Sequence, residues 1–474
     1  MAHFRTAFVS GNFFILHPGH IRFLRFAASV CDKLIIGVRN TQPTDRYPTA
    51  EERIEALKAL NLSAEVMLLE QPLEHYLLQI KPDAIVKGNE YRHVDNPESA
   101  VLAQWGGEII FASGDANYVA SDLLQADGEF NGSVHLLRPR SYIRRNRCDV
   151  DSLRSIVDRF NGLKVAVIGD LIVDEYIECE ALGMSREDPT IVVSPVGSER
   201  YVGGAGIVAA HAKALGADTR FVGLISNDES GDFARQMLAT HDVNVQAFSD
   251  STRPTTLKRR YRCAGKTLLR VSHLSQEEPS PEIQNLIAEA AAKAVENADC
   301  AVLSDFSYGC LSAPVIDVVA RIAAETGLVV SADSQSSSQT GDSTRFKGVS
   351  LLCATEYEAR TALRTQTMGL SALGAELLQK SEAQNLIMKL GSAGLVFLQA
   401  EESPADLDRL PALNPNPVDV AGAGDSLLIA ATMALAVGAT LAQAAYIGSL
   451  AAAIQVSRQG NIPLSQAELS RALH

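Results

Sequence analysis

Between Ser426 and Ser457 the chain carries no charged side chain. A run of this kind either spans a bilayer or is buried as secondary structure inside a folded core. Its length would permit a span, but it is rich in alanine rather than leucine and Gly438 interrupts it, which favours a pair of buried helices. Such a pair needs a large core around it. The 474 residues, 46% of them hydrophobic, exceed one ordinary domain and supply enough apolar surface for more than one core.

The uncharged run is entered through Asp419-Val420-Ala421-Gly422-Ala423-Gly424-Asp425. Small residues give way to a carboxylate where a helical pattern begins, so free backbone N–H groups and the positive helix end converge beside Asp425. The amides of Gly422, Ala423 and Gly424 make an anion hole for the charge on a transferring phosphoryl group, and Asp425 can accept the proton of an attacking hydroxyl. Gly-Ala-Gly turns also serve close helix packing, so the reading needs a partner motif. Upstream, Lys164 to Asp170 reads as a buried strand ending in Gly-Asp, with Asp174 on the same loop, and Tyr201-Val202-Gly203-Gly204-Ala205-Gly206 leads into an Ala-rich helix.

In their order and separation these two motifs resemble the ribokinase-like (PfkB) carbohydrate kinases over residues 161–474. The resemblance implies a doubly wound α/β domain with a small β lid, and a homodimer formed through that lid. It makes Asp425 the catalytic base and ATP the phosphoryl donor. It puts Asp170, Asp174, Gly203, Gly204 and Arg270 on the sugar, and gives Glu358 an indirect hold on Mg2+. The β-rich stretches Tyr176 to Val202 and Thr255 to Val271 would be the lid. The second contains Lys258, Arg259, Arg260, Arg262, Lys266 and Arg270, which suits a phosphorylated sugar or a charged surface hairpin. The chain then alternates helix and strand, as in a largely parallel sheet. It departs from the family pattern at Ile207, where Asn is expected, at Ser272 for Asp, at Gln335 for Lys, and at Thr355 for Asn.

Near the N-terminus, Thr6 to His20 begins as an apolar strand and turns into a helix at His17-Pro18-Gly19-His20. Two histidines flanking Pro-Gly at a helix start place ring N–H donors and backbone amides where an anion would sit. The tetrad resembles the His-x-Gly-His nucleotidyltransferase superfamily. Leu34 to Val38, Pro48 to Leu57 and Lys81 to Gly88 match its later elements in order. The resemblance implies a Rossmann-like, cytidylyltransferase-like domain over residues 1–135, with His17 and His20 catalytic. Gly11, Phe13, His17, His20, Lys87 and Ser121 would bind ATP, or CTP, for in-line transfer with Mg2+. Phe14 stands where that family has Asp, and Ser121 is the one Ser or Thr of Tyr118 to Asp122.

Residues 136–160 read as a linker and the helix leading into the second domain, with Arg138, Arg140, Arg144, Arg145 and Arg147 close together. The net charge of −14 lies almost wholly in the second part, since residues 1–147 carry 16 Lys and Arg against 17 Asp and Glu. That balance argues against nucleic-acid binding. Seven cysteines without Cys-x-x-Cys spacing suggest neither zinc nor disulfides and fit a reducing cytoplasm.

A sugar kinase joined to a nucleotidyltransferase is similar to the bifunctional heptose-7-phosphate kinase/heptose-1-phosphate adenylyltransferases of lipopolysaccharide precursor synthesis, with the domain order reversed. Gly169 to Tyr176, Ser185 to Pro189 and Leu303 to Phe306 carry that likeness. It implies phosphorylation of D-glycero-D-manno-heptose 7-phosphate at O1 and transfer of AMP to the sugar 1-phosphate. The same architecture acting on another sugar or polyol phosphate, and a nucleotide-binding protein with one degenerate site, are the alternatives.

Overall fold

Apolar runs too short to be helices, separated by amphipathic stretches, build parallel strands covered by helices. The computed structural model describes residues 4–473 apart from 15, 17, 41–47, 61, 63, 89–95, 113–127, 132, 133, 276, 336–340, 402 and 404–406. It divides into two compact units, one of residues 1–126 with 365–376 and 402–409, the other of 127–364, 377–401 and 410–474.

The first unit holds β1 (Phe4–Gly11), α1 (Pro18–Ser29), β2 (Cys31–Arg39), α2 (Ala50–Lys58), β3 (Ala64–Leu69), α3 (Leu73–Ile80), β4 (Ala84–Gly88), α4 (Glu98–Leu102) and β5 (Glu108–Ala112). Its sheet runs β3-β2-β1-β4-β5 with all pairs parallel, as expected of a Rossmann-like domain. Strand order reverses between β1 and β4, and ligands of such sheets bind at that switch point, beyond the carboxyl ends of the strands. Phe8, Ile35, Leu77, Ile85 and Leu102 fill one face of the sheet, and Ala7, Val9, Leu24, Ile36 and Val86 the other.

In the second unit a short hairpin, β6 (Gly128–Asn131) and β7 (Val134–Leu137), precedes two helices, Arg140–Arg145 and Val150–Asp158. Residues 136–160 are therefore built into this unit: Tyr142, Cys148, Leu153, Ile156 and Val157 are buried in its core, and Tyr142 donates its hydroxyl hydrogen to Ala442 O at 2.7 Å. Next come β8 (Lys164–Gly169), β9 (Leu171–Met184), β10 (Ile191–Gly204), β11 (Asp218–Leu224), β12 (Asn244–Phe248), β13 (Thr256–Cys263), β14 (Lys266–His273), β15 (Cys300–Asp305), β16 (Val329–Ser334), β17 (Leu351–Thr355), β18 (Asn385–Lys389) and β19 (Leu395–Gln399). Within this unit the main sheet runs β12-β11-β8-β15-β16-β17-β18-β19 and is parallel from β12 to β18. Its switch point is β8, flanked by β11 on one side and β15 on the other. A four-stranded sheet, β10-β9-β13-β14, continues from β8 as the expected lid.

The uncharged run forms helices Ala423–Ala436 and Leu441–Gln455, both buried along most of their length and turned at Gly438, whose φ is 82°. Among the described residues no helix is long and apolar enough to cross a membrane. None of the seven cysteines forms a disulfide.

Candidate functional site

In the second unit the parallel strands deliver their last residues to one rim: Gly169 and Asp170 from β8, Asp305 from β15, Asp333 to Gln335 from β16, Thr355 from β17 and Lys389 from β18. Helix Ala423–Ala436 points its N-terminus at this rim. Its cap, Gly422, has φ 73°, and an added Cβ there would come within 2.5 Å of Asn461 Oδ1. Glycine is therefore required both for the left-handed turn and for the close approach. Gly422, Ala423 and Gly424 thus stand at the helix start, with Asp425 in the first turn.

Asp425 is buried, and Gln335 donates Nε2–H to its Oδ1 at 2.9 Å. Burial, reinforced by the neighbouring Asp333, pushes the Asp425 carboxyl up to about 7. A carboxylate poised there takes up and releases protons near neutral pH. Asp333 is also buried and pushed up to about 6 by burial, although Lys389 pairs with it and works the other way. Burial disfavours the charge on Lys389, but Asp333 and Glu358 outweigh it and raise its pKa. Glu358 is spent largely on its own helix: Thr355 N–H donates to its Oε2 at 2.6 Å, and Glu358 N–H donates to Thr355 Oγ1 at 3.2 Å, closing a capping box.

The expected sugar residues separate into two groups. Asp174 is buried and accepts from Asn461 Nδ2 at 3.3 Å. It also pairs with Arg260, whose guanidinium lies over the Tyr176 ring. Gly203 must be glycine because a Cβ would sit 2.5 Å from Asp174 Oδ2, and Gly204, φ 59°, because one would sit 2.3 Å from Asp170 O. Asp170, by contrast, is occupied. Its Oδ2 accepts from Phe306 N–H at 2.9 Å and Tyr308 N–H at 3.0 Å, and its Oδ1 from Cys310 N–H at 3.0 Å. Its geometry is that of a loop anchor rather than a free sugar ligand. The arginine that pairs with Asp174 is Arg260, not Arg270. Arg270 is exposed on β14, directly opposite Arg260 in the ladder and on the same face one strand further out. Beyond Tyr176 the lid encloses a cavity of about 400 Å3 lined by Glu178, Glu199, Arg262 and Gln459, large enough for part of a small polar ligand.

Sequence reasoning passed over Gln335, Lys389, Arg260 and Asn461 as individual site residues. Lys389 and Asp333 carried one readable signal, a charged residue at the end of an apolar strand.

In the first unit, Gly11, Phe13 and His20 meet at the carboxyl end of β1, and Lys87 stands at that of the neighbouring strand β4. A Cβ at Gly11 would come within 2.9 Å of the Phe13 ring. Phe13 holds φ 50° and meets the His20 ring edge-on at 5.3 Å between centroids. Lys87 is not a spare cation, because its ammonium donates to Asn96 Oδ1 at 2.7 Å and Glu98 Oε2 at 2.8 Å. Arg53, from the segment that opens α2, is 2% exposed and donates Nη1–H groups to Asn12 O at 2.6 Å and Arg39 O at 3.1 Å. It thereby ties the ends of β1 and β2 together. His17 and Ser121 lie outside the described residues.

A family model described as pfkB family carbohydrate kinase matches residues 163–467, and one described as cytidylyltransferase-like matches residues 8–102. Among curated proteins, the chain is 29% identical over 321 residues to the Bifunctional protein HldE of Desulfatibacillum aliphaticivorans, covering 67% of this chain and 64% of that protein. It is 31% identical over 315 residues to the protein of the same name from Rhodopseudomonas palustris strain HaA2, covering 65% and 63%. The match thus spans less than two thirds of these relatives' own length. Among solved structures, Arabidopsis thaliana ribokinase complexed with ribose and ATP superposes with a TM-score of 0.52 at 18% identity, over 66% of this chain and 99% of that one. The tetrameric inhibited form of phosphofructokinase-2 from Escherichia coli gives 0.53 at 14%, over 66% and 98%. At these identities the superpositions establish the fold.

Proposed function

The chain belongs to the pfkB family of carbohydrate kinases, and from that premise we propose that it is a bifunctional sugar-activating enzyme. Its second unit phosphorylates a sugar phosphate with ATP, D-glycero-D-manno-heptose 7-phosphate at O1 being the first choice. Its first unit transfers a nucleotidyl group, AMP before CMP, to the sugar 1-phosphate. The observation that carries the kinase reading is the burial of Asp425 at a helix start beside the Gly422 turn. Asp425 takes the proton from the attacking sugar hydroxyl while the amides of Gly422, Ala423 and Gly424 hold the charge of the transferring phosphoryl group. Asp174, Gly203 and Gly204 line the sugar side with Arg260. Asp170 shapes that side through the 306–310 loop, and Arg270 is assigned to a phosphate group of the sugar.

Among the described residues no cluster of three His, Cys, Asp or Glu could cage a metal. The groups present fit a magnesium ion held mainly by phosphate oxygens and water, with the buried, unpartnered Oδ1 of Asp333 and the carboxylate of Glu358 supplying negative charge nearby. Such an ion would neutralise charge on the phosphates.

For the first unit, His20 and His17 stabilise the charge on the α-phosphate, with Gly11 and Phe13 shaping the turn, Ser121 adding a hydroxyl, and Lys87 reaching phosphate only in company with Glu98. We assign this activity to residues 1–135 and the kinase to the remainder, with the helices over 140–158 on the kinase side because their side chains belong to its core. Exposed Leu182, Met184, Ile191 and Val196 on the lid favour a homodimer through it. Seven cysteines, none in a disulfide, favour a reducing compartment such as the cytoplasm.

Two assays test the reading together. A coupled ADP-release screen over sugar and polyol phosphates should select one acceptor, and a pyrophosphate-release assay with ATP or CTP and the corresponding 1-phosphate should show the second step. Phosphorylation without pyrophosphate release would leave a kinase carrying a nucleotide-binding unit, and release of neither would overturn the proposal.

A further inference from the structure

Where the kinase resemblance leads one to expect lysine, the chain has Gln335, and that side chain reaches the proton acceptor. Gln335 follows β16, whose end supplies Asp333, and its Nε2 lies 2.9 Å from Asp425 Oδ1. An ionised carboxylate only accepts hydrogen bonds, so the amide must present its N–H side. The start of the catalytic helix is packed against the same group. A Cβ at Gly424 would lie 3.3 Å from Lys389 Nζ and 3.8 Å from both Asp333 Oδ2 and Gln335 Nε2. The charged groups around Asp425 are Asp333 on β16 and Asp174 on β9, which oppose its ionisation, and Lys389 on β18, which favours it. Glu358 and Asp305 act in turn on Asp333. Lys389 makes its short contact with Asp333, whereas Gln335 supplies the directed bond to Asp425.

We propose that Gln335 is the positioning residue of the kinase base: its neutral amide fixes Oδ1 of Asp425, leaves Oδ2 to face the sugar hydroxyl, and sets the pH at which the base becomes available. The proposal rests on the reading of Asp425 as base. A lysine at 335 would bring a second positive charge to the carboxylate and weaken it as a proton acceptor. An apolar residue would leave Oδ1 buried without its donor and free the carboxylate to rotate about χ2. Glutamine holds the geometry without discharging the base.

The test is the titration of Asp425 itself, which needs no sugar. In the full chain labelled with 13C at the aspartate carboxyl carbons, the Asp425 resonance is assigned by its loss in Asp425→Asn. It is then followed against pH in the wild type, Gln335→Leu and Gln335→Lys, with thermal melts confirming that each variant folds. The midpoint should move up in Gln335→Leu, and down by about one pH unit or more in Gln335→Lys, the scale of an opposite charge at a few ångströms. The acid limb of ATP-dependent turnover should follow the same order. Coincident titrations in all three proteins, beside an inactive Asp425→Asn, would remove the role of Gln335 and leave the base assignment standing. Wild-type turnover in Asp425→Asn would overturn both.

Discussion

Tyr176 donates its phenolic hydrogen to Asp419 Oδ2 at 2.9 Å, joining lid strand β9 to the loop that leads into the Gly422 turn. The same carboxylate accepts Gly460 N–H at 3.0 Å and Ala421 N–H at 3.1 Å. One side chain thus fixes the position of the anion-binding amides relative to the lid. Tyr176→Phe keeps the ring under Arg260 but removes a bond to a charged acceptor, worth about 1.5–3 kcal/mol. Denaturant unfolding should show a loss of this size, with turnover lowered. A variant as stable as the wild type would mean that Asp419 is held well enough by the two amides alone.

Asp425→Asn is nearly isosteric and keeps the Gly422-Ala423-Gly424 amides in place. ATP should still bind, and phosphoryl transfer should fall by at least ~10²-fold, the scale of a lost positioned base, with a smaller change in KM. Initial-rate kinetics at saturating ATP decide it.

The same substitution should stabilise the fold at neutral pH. Asp425 has a folded pKa of about 7 against a usual value of 3.8, so the folded state binds the proton more tightly than the unfolded chain. Stability from this group is fully present below the unfolded value and is lost as pH rises towards 7. Asparagine needs no proton, so its advantage in Tm should be absent near pH 4, grow through pH 5 and 6, and level off above 7. Melts across that range that run parallel for the two proteins would contradict the burial cost.

His20→Ala should reduce nucleotidyl transfer by roughly two to three orders of magnitude, the scale of a lost charge stabiliser in the transition state, while ADP release by the kinase is unchanged. Undiminished pyrophosphate release would make the Phe13–His20 contact structural.

Cleavage sites should separate the two activities unequally. A fragment beginning near residue 128 retains the helices over 140–158 and should keep kinase turnover. One beginning at residue 161 lacks the buried side chains of Tyr142, Cys148, Leu153, Ile156 and Val157. It should be insoluble or strongly destabilised, since each such truncation costs about 2–5 kcal/mol. Equal behaviour of the two fragments would place 136–160 outside the folded core in solution.

Strand and helix identities were legible because they depend on local pattern: the Val165 to Ile168 run, the Pro48 to Leu57 segment and the Gly422 turn each announce themselves within a few residues. Asp425 and the Gly422, Ala423 and Gly424 amides share one turn, so their adjacency was readable for the same reason. Gln335, Lys389, Arg260 and Asn461 were not, because each reaches the site from a different strand end or loop, and adjacency of that kind is set by sheet order. The surroundings of Asp170 and Arg270 were out of reach on the same ground. Their residue types were suitable, but only the three-dimensional arrangement reveals that backbone amides claim the first and that the second stands one strand beyond Arg260.

The convergence of β8, β15, β16, β17 and β18 on one rim has a kinetic side. Their pairings close long loops, as between Gly169 and Ser304 or Asp333 and Lys389, and the entropy of loop closure makes such contacts late and slow to form. No subset of neighbouring elements contains Asp174, Asp333, Lys389 and Asp425 together. A refolding chain therefore gains its helical signal before it gains any phosphoryl transfer, and turnover serves as a direct count of molecules whose main sheet has closed.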